Sequence, residues 1–281
     1  MSAQLFVVAT PIGHLDDITY RAIDVLKSVS LIAAEDTRQS LPLLRHFNIN
    51  TPLTACHDHN EDGKIKSIIE KLQSGENVAL ISDAGTPLIS DPGFKLVRAV
   101  QQAGIRVTPV PGACAAIAAL SSVGLPSDRF MFVGFLSSKA TQRQSQLEDL
   151  KNHTETLIFY EAPHRIVDSL TDIMHIFGEE RRIGFAREIT KTFETIVQKS
   201  SKELLDWVKS DNNQQKGEIV LVVAGNTVQQ EQNQTKTDDL LRRLLQDLTV
   251  KSAAQLASDL TGIKKKVLYQ RALDLYQEKS E

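Results

Sequence analysis

Short apolar runs alternate with helical patterns from the first residues onward, and this alternation restricts the chain to a few α/β architectures. Leu5–Thr10, Leu31–Ala34, Val78–Ile81 and Val107–Val110 read as strands. Thr19–Val29, Gln39–Phe47, Lys64–Leu72, Phe94–Val100 and Ala113–Leu120 read as helices; Ala22, Ile23, Leu26 and Val29 share one face of the first. Strands joined through helices pair in parallel, since a tight turn can only join antiparallel neighbours. A mostly parallel sheet is therefore expected for residues 1–123.

Gly124-Leu125-Pro126-Ser127-Asp128 marks a domain boundary. Beyond it Phe130–Phe135, Leu157–Tyr160, Arg182–Arg187, Thr192–Val197 and Ile219–Ala224 read as strands, with helices near Gln142–Leu150 and Ile166–Ile176. Thr192–Val197 follows its predecessor too closely for a crossover helix, so a hairpin and a mixed sheet are expected in a second α/β domain, 124–225. Residues 226–237 are polar and glutamine-rich without periodicity, which reads as a flexible linker. The segment 238–281 is helical in pattern: Leu240, Leu241, Leu244, Leu245 and Leu248 form one apolar face. Ser252–Leu260, the Thr261-Gly262 break and Ile263–Tyr276 then resemble a helix-turn-helix.

Composition narrows the function. A net charge of -3 argues against a protein that binds DNA freely. From Lys236 onward, nine lysines and arginines stand against seven acids, so the tail is the relatively basic part. No apolar stretch approaches the roughly 18 residues of a membrane span, and the first residues lack a basic leader pattern. Cys56 and Cys114 are too few for a disulfide framework, which fits a cytoplasmic location. Gly-x-Gly, Gly-Lys-Ser/Thr, His-Glu-x-x-His and Gly-x-Ser-x-Gly are all absent. Asp58–Gly63 opens like a calcium loop, but Ile69 stands where the bidentate Glu belongs. With Cys56-His57-Asp58-His59 it reads as a polar loop capping the Lys64–Leu72 helix, and no metal is expected.

The chemistry concentrates in loops at strand ends. Ser82-Asp83-Ala84-Gly85-Thr86-Pro87-Leu88-Ile89-Ser90-Asp91-Pro92-Gly93 follows an apolar strand, where an open α/β sheet places its ligand crevice. An ordinary connection needs only about two to six residues. Thr10–Asp17, Ala34–Arg38, Val110–Ala115, Gly134–Leu136, Tyr160–Arg165, Ala186–Glu188 and Lys216–Glu218 occupy corresponding positions. In this order the loops resemble those of the tetrapyrrole methylases and, within them, the ribosomal RNA small-subunit methyltransferase I family, over essentially the whole chain.

The resemblance implies two α/β domains with a cofactor cleft between them and a small helical C-terminal domain. It implies S-adenosylmethionine as cofactor and methylation of a cytidine ribose 2′-hydroxyl in the decoding region of 16S ribosomal RNA. Pro11 and Ile12, the run Asp83, Ala84, Gly85, Thr86 and Pro87, then Cys114 and Ala115, Ala162, and Lys216, Gly217 and Glu218 match its cofactor-binding segments. His14, Cys114 and Ser137 depart from the Asn, Ser and Pro common at those positions. A homodimer acting on RNA within an assembled 30S subunit, away from membranes, is also expected.

A ribose hydroxyl is a poor nucleophile and benefits from a neighbouring acceptor. Glu161 or Asp36 is the candidate to orient it, with Glu188 also in reach of the pattern; each reads equally as a helix cap or ion pair. Arg38, Arg165 and Arg187 are candidates to hold phosphates. Lys264, Lys265 and Lys266, beside Tyr269 and Arg271, read as an RNA-backbone contact or as a solvated helix face. A methylase of a small tetrapyrrole and a non-enzymatic RNA-binding protein are the competing readings.

Overall fold

A computed structural model describes residues 3–56 and 61–278. The chain divides into two compact units, Met1–Asp149 with Thr156–Ala224, and Leu150–Glu155 with Gly225–Glu281. The loop His57–Asn60, central to the metal question above, lies outside the described residues.

The larger unit holds two sheets. In the first, β1 (Gln4–Val8), β2 (Leu31–Ala34), β3 (Leu53–Ala55), β4 (Val78–Ile81) and β5 (Arg106–Val110) lie in the order β3-β2-β4-β1-β5. Every pairing is parallel. Helices α1 (Tyr20–Ser28) and α2 (Thr37–His46) seal one face, where Ala22, Leu26 and Leu44 meet Val8, Ile32 and Ala79. On the other face α3 (Glu61–Gln73) and α4 (Phe94–Gln102) bring Ile68, Leu72, Leu96 and Val100 against Leu5, Ala33 and Leu80. Burial on both faces is why these strands read as unbroken apolar runs.

The strand order fixes where a ligand can enter. After β1 the chain steps to β2 and β3 on one side, and after β4 it steps to β5 on the other. Neighbouring β1 and β4 thus send their following loops to opposite faces, opening a crevice at their carboxyl ends.

In the second sheet, β6 (Phe130–Phe135), β7 (Thr156–Glu161), β8 (Arg182–Arg187), β9 (Thr195–Ser200) and β10 (Ile219–Val223) lie in the order β6-β7-β10-β8-β9. Only β6 and β7 pair in parallel, so the sheet is mixed as expected, with β8 and β9 antiparallel. Helix α5 (Ala115–Ser122) covers one face through Ala116, Ala119 and Leu120. Its partners there are Ile158, Ala186, Val220 and Val222, so this helix, although within residues 1–123, packs on the second sheet. Helices α6 (Ala140–Leu150), α7 (Ile166–Phe177) and α8 (Ser201–Ser210) complete the unit. A buried Arg143–Asp172 pair at 2.7 Å ties α6 to α7. Trp207 of α8 packs edge-on to Phe185 of β8 with centroids 5.6 Å apart.

The smaller unit carries α9 (Thr227–Leu244), α10 (Val250–Thr261) and α11 (Lys265–Glu278). Leu241, Ala254, Ala257, Leu268, Ala272 and Leu275 form its core. Asp238 accepts two hydrogen bonds from Arg271, at 2.6 and 2.9 Å, clasping α9 to α11. The expected linker 226–237 is corrected here, because α9 is helical from Thr227. The segment has no apolar stripe, but its Gln, Glu and Lys residues are good helix formers, and propensity prevails over pattern. Among the described residues no helix is long and apolar enough to cross a membrane.

Candidate active site

The loops after β1 and β4 are joined by an isolated bridge between Thr10 and Gly85. The Thr10 N–H donates to the Gly85 carbonyl at 2.8 Å, and the Gly85 N–H returns the bond at 3.1 Å. Gly85 sits at φ +79, and a Cβ there would stand 3.2 Å from Ile12 Cγ2. The sequence therefore needs glycine both for the left-handed backbone and for the close approach. Thr86 Oγ1 donates to the Ala113 carbonyl at 2.9 Å and draws in the turn that opens α5.

These contacts border a cavity of about 360 Å³. Ile12, Ala84, Gly85, Thr86, Cys114 and Ala115 line one part of it, and Ala162 and Glu218 another. All were expected to do so. Pro11, Asp83, Pro87, Lys216 and Gly217 were expected too but are not in the lining. Asp83 instead accepts a hydrogen bond from the Asp36 N–H at 3.0 Å, joining the β2 and β4 loops. Gly217 packs beside the Glu188 side chain, and the Lys216 carbonyl accepts from Arg187 at 3.4 Å.

Glu161 belongs to the cavity wall, yet its carboxylate is enclosed. One oxygen accepts from the Ala162 N–H at 2.7 Å and pairs with Arg165 at 2.8 Å; the other accepts from Ser169 Oγ at 2.5 Å. Its side chain is 0% exposed, leaving no accessible oxygen to meet a substrate. Arg165 is spent in the same turn, donating also to the Leu136 carbonyl at 3.2 Å. Its Nε is buried without a hydrogen-bond partner among the described residues.

Tyr160 performs a capping task that the sequence conceals. Cys114 is the N-cap of α5 and makes no side-chain cap bond. The Ala116 N–H, which a Ser at 114 would satisfy, donates instead to Tyr160 Oη at 3.2 Å. Burial, with Cys114 and Asp91 adding to it, pushes the phenol's pKa up and keeps it protonated. The other two departures are compensated as well. His14 Nδ1 accepts from the Asp16 N–H at 3.2 Å, as an Asn carboxamide would. The Ser137 N–H donates to Gln146 at 3.0 Å, a bond proline cannot make.

The remaining candidates lie away from the cavity lining. Asp36 caps α2 by accepting from the Arg38 N–H at 2.8 Å, and it pairs with the Arg38 guanidinium at 2.7 Å. The side-chain bond from Arg38 holds its carboxyl at about 2. Arg38 itself is 87% exposed. Arg187 is buried and enclosed by Gln214, the Phe193 and Lys216 carbonyls and Thr195. Burial opposes ionisation of Glu188, but the Glu218 N–H and Lys191 prevail and lower its pKa. In the smaller unit, Lys264, just before α11, and Lys266 in its first turn are exposed, and Lys265 is half-buried.

Ile89, Ser90, Asp91, Phe135, Tyr160 and Val220 also line the cavity and were not singled out as site residues. The register of β6 slips between Phe132 and Gly134. A bulge reverses the alternation of side chains, so Phe132 and Phe135 both reach Tyr160, with centroids 5.0 and 5.6 Å away. Gly134, at φ +79 inside an apolar run, was the available signal.

Residues 4–205 match the family described as Tetrapyrrole (Corrin/Porphyrin) Methylases, and residues 231–275 match the RsmI C-terminal HTH domain. The chain is 58% identical to a ribosomal RNA small subunit methyltransferase I of Pseudomonas aeruginosa, over 96% of each chain. It is 53% identical to the protein of that name in Escherichia coli O157:H7, over 96% of this chain and 95% of the relative. Among solved structures, uroporphyrin-III C-methyl transferase from Thermus thermophilus, complexed with S-adenyl homocysteine, superposes with a TM-score of 0.55 at 15% identity. That match covers 79% of this chain and 97% of the other, and it shows a shared fold.

Proposed function

The chain belongs to the ribosomal RNA small subunit methyltransferase I family of the tetrapyrrole methylases, and from that premise we propose that it methylates small-subunit ribosomal RNA at a ribose 2′-hydroxyl. The acceptor in this reading is a cytidine in the decoding region of 16S RNA, and the methyl donor is S-adenosylmethionine. One observation carries it: relatedness runs through the methylase region and the helical tail alike, whereas the tetrapyrrole-enzyme likeness is confined to the fold.

The cavity suits the donor. Its volume of about 360 Å³ falls in the usual range for small-molecule sites, and the small residues Ala84 and Gly85 let a ligand approach closely. When bound, S-adenosylmethionine supplies an electrophilic methyl group on a sulfonium. Ile12, Ala84, Gly85, Thr86, Cys114, Ala115, Ala162 and Glu218 hold it in this proposal. Pro11, Asp83, Pro87, Lys216 and Gly217 neighbour those residues in the chain without lining the cavity. In-line methyl transfer depends heavily on positioning, which the Thr10–Gly85 bridge and the Glu161–Arg165 pair supply by fixing the two walls.

Arg38 is exposed enough to meet a phosphate while still paired with Asp36. Lys264, Lys265 and Lys266 stand where a helix end is already positive, so they cost α11 stability and favour an anionic partner. A modest net charge suits recognition of an assembled 30S subunit, where shape adds to phosphate contacts. A homodimer in the cytoplasm completes the proposal.

The test uses 30S subunits and naked 16S RNA from cells lacking the gene, incubated with the protein and methyl-labelled donor. Label mapped to one cytidine ribose is the expected result. Label absent from both RNAs but present on a corrinoid or porphyrin would replace this reading with the tetrapyrrole one.

A further inference from the structure

Three carboxylate residues line the cavity: Asp91, Glu161 and Glu218. Two of them are neutralised by cations. Glu161 pairs with Arg165 at 2.8 Å, and Glu218 with Lys191 at 3.1 Å. Asp91 has no ion pair among the described residues, although it is half-buried. The groups acting on it are Ser82 and Asp83 from its own loop, and it in turn acts on Tyr160 of β7, beside Cys114.

An acid left without a counter-ion against an apolar wall needs a reason. Its loop is held in an unusual backbone. Leu88 and Ser90 lie at φ +73 and +69, a region that non-glycine residues rarely occupy and that clusters at functional sites. Ser90 Oγ would stand 3.3 Å from a Cβ on Gly134, so the loop is seated against the β6 bulge. Phe135, just past the bulge, lines the same cavity.

We propose that Asp91 is a catalytic residue that accepts the proton of the ribose 2′-hydroxyl as the methyl group is transferred. This rests on the reading of the cavity as a ribose methylation site. The hydroxyl oxygen forms its bond to the methyl carbon while the carbon–sulfur bond breaks, and sulfur keeps that electron pair. The hydroxyl proton passes to the Asp91 carboxylate, which later releases it to water. Burial, reinforced by Asp83 and opposed by a hydrogen bond from Ser82, raises the proton affinity of Asp91 toward that of a more effective base. Glu161, held as an enclosed acceptor, fixes the wall from which Tyr160 faces the same space.

The test is Asp91→Asn in the full chain, read by calorimetry with S-adenosylhomocysteine and S-adenosylmethionine, by 30S binding, and by single-turnover methylation. Both cofactor affinities and 30S binding are expected to hold while the methylation rate falls about 10²–10⁴-fold. Asp91→Glu should recover part of that loss. A rate near wild type in Asp91→Asn overturns the proposal. Weakened binding of S-adenosylmethionine alone also overturns it, since Asp91 would then pair with the sulfonium. Loss of S-adenosylhomocysteine binding would make Asp91 a cofactor or structural residue instead. A wild-type protein that labels no ribose defeats the function reading itself, a result distinct from any of these.

Discussion

The turn 160–165 and the loop 82–93 border the same cavity and are built in opposite ways. In the turn, Glu161 and Arg165 neutralise each other and every Glu161 carboxylate oxygen has a partner. In the loop, Asp91 has no ion pair among the described residues and two non-glycine residues occupy positive φ. The turn resembles a solved packing problem, and the loop resembles a place where local stability is given up. The contrast suggests that one wall positions and the other reacts.

Substitutions can break that contrast, beginning with the largest effect. Gly85→Val places a branched side chain at φ +79 and against Ile12. It should abolish measurable S-adenosylhomocysteine binding by calorimetry; retained binding would show that the loop yields more readily than its geometry implies. Glu161→Ala leaves Arg165 largely buried without its partner, which should cost about 3–5 kcal/mol in chemical denaturation. A loss under about 1 kcal/mol would place this pair with ordinary surface ion pairs.

Tyr160→Phe orphans the Ala116 N–H and should cost about 1–3 kcal/mol. Adding Cys114→Ser should return part of that loss, because a serine can cap α5 directly. No recovery in the double variant would remove the capping role from Tyr160.

The smallest effects concern pH and separate Asp91 from Asp36. The carboxyl of Asp36 is held at about 2, so it stabilises the fold above the ordinary carboxylate value. That contribution fades as pH falls from about 4 toward 2. The stability gap between wild type and Asp36→Asn should shrink over this window. Asp91 is shifted the other way, so it favours folding while protonated and loses that contribution as pH rises past its raised value. At neutral pH, Asp91→Asn should be no less stable than wild type. Thermal melts across pH check both signs.

Much of this was legible in the chain. The βα alternation announces the parallel sheet because strands buried on both faces must be apolar throughout. β3 was not visible, since Leu53–Ala55 is too short to show a period. Helix α8 was overlooked although Ser200 and Glu203 form a capping box, the one local signal at its start. Helix α5 follows β5 in the chain, yet Ala116 and Ala119 let it lie on the second sheet.

The site was legible as loops rather than as roles. Cofactor-wall positions such as Ala84, Gly85 and Ala115 follow from strand ends and the switch point. The state of each charge does not. Glu161, at the end of β7, and Asp91, in a loop, are both acids in polar stretches of sequence, and only the fold reveals that Arg165 pairs with the first while the second has no ion pair among the described residues. Likewise, the Cys114 departure is harmless because a residue distant in sequence, Tyr160, covers the orphaned donor.

The most direct measurement compares Asp91→Asn with Glu161→Gln for melting temperature and single-turnover methylation of 30S subunits. Division of labour predicts that Asp91→Asn keeps its melting temperature and loses the rate. Glu161→Gln should instead melt earlier and, per folded molecule, lose far less of the rate. The reverse pattern, with a stable but inactive Glu161→Gln and a fully active Asp91→Asn, would contradict the account.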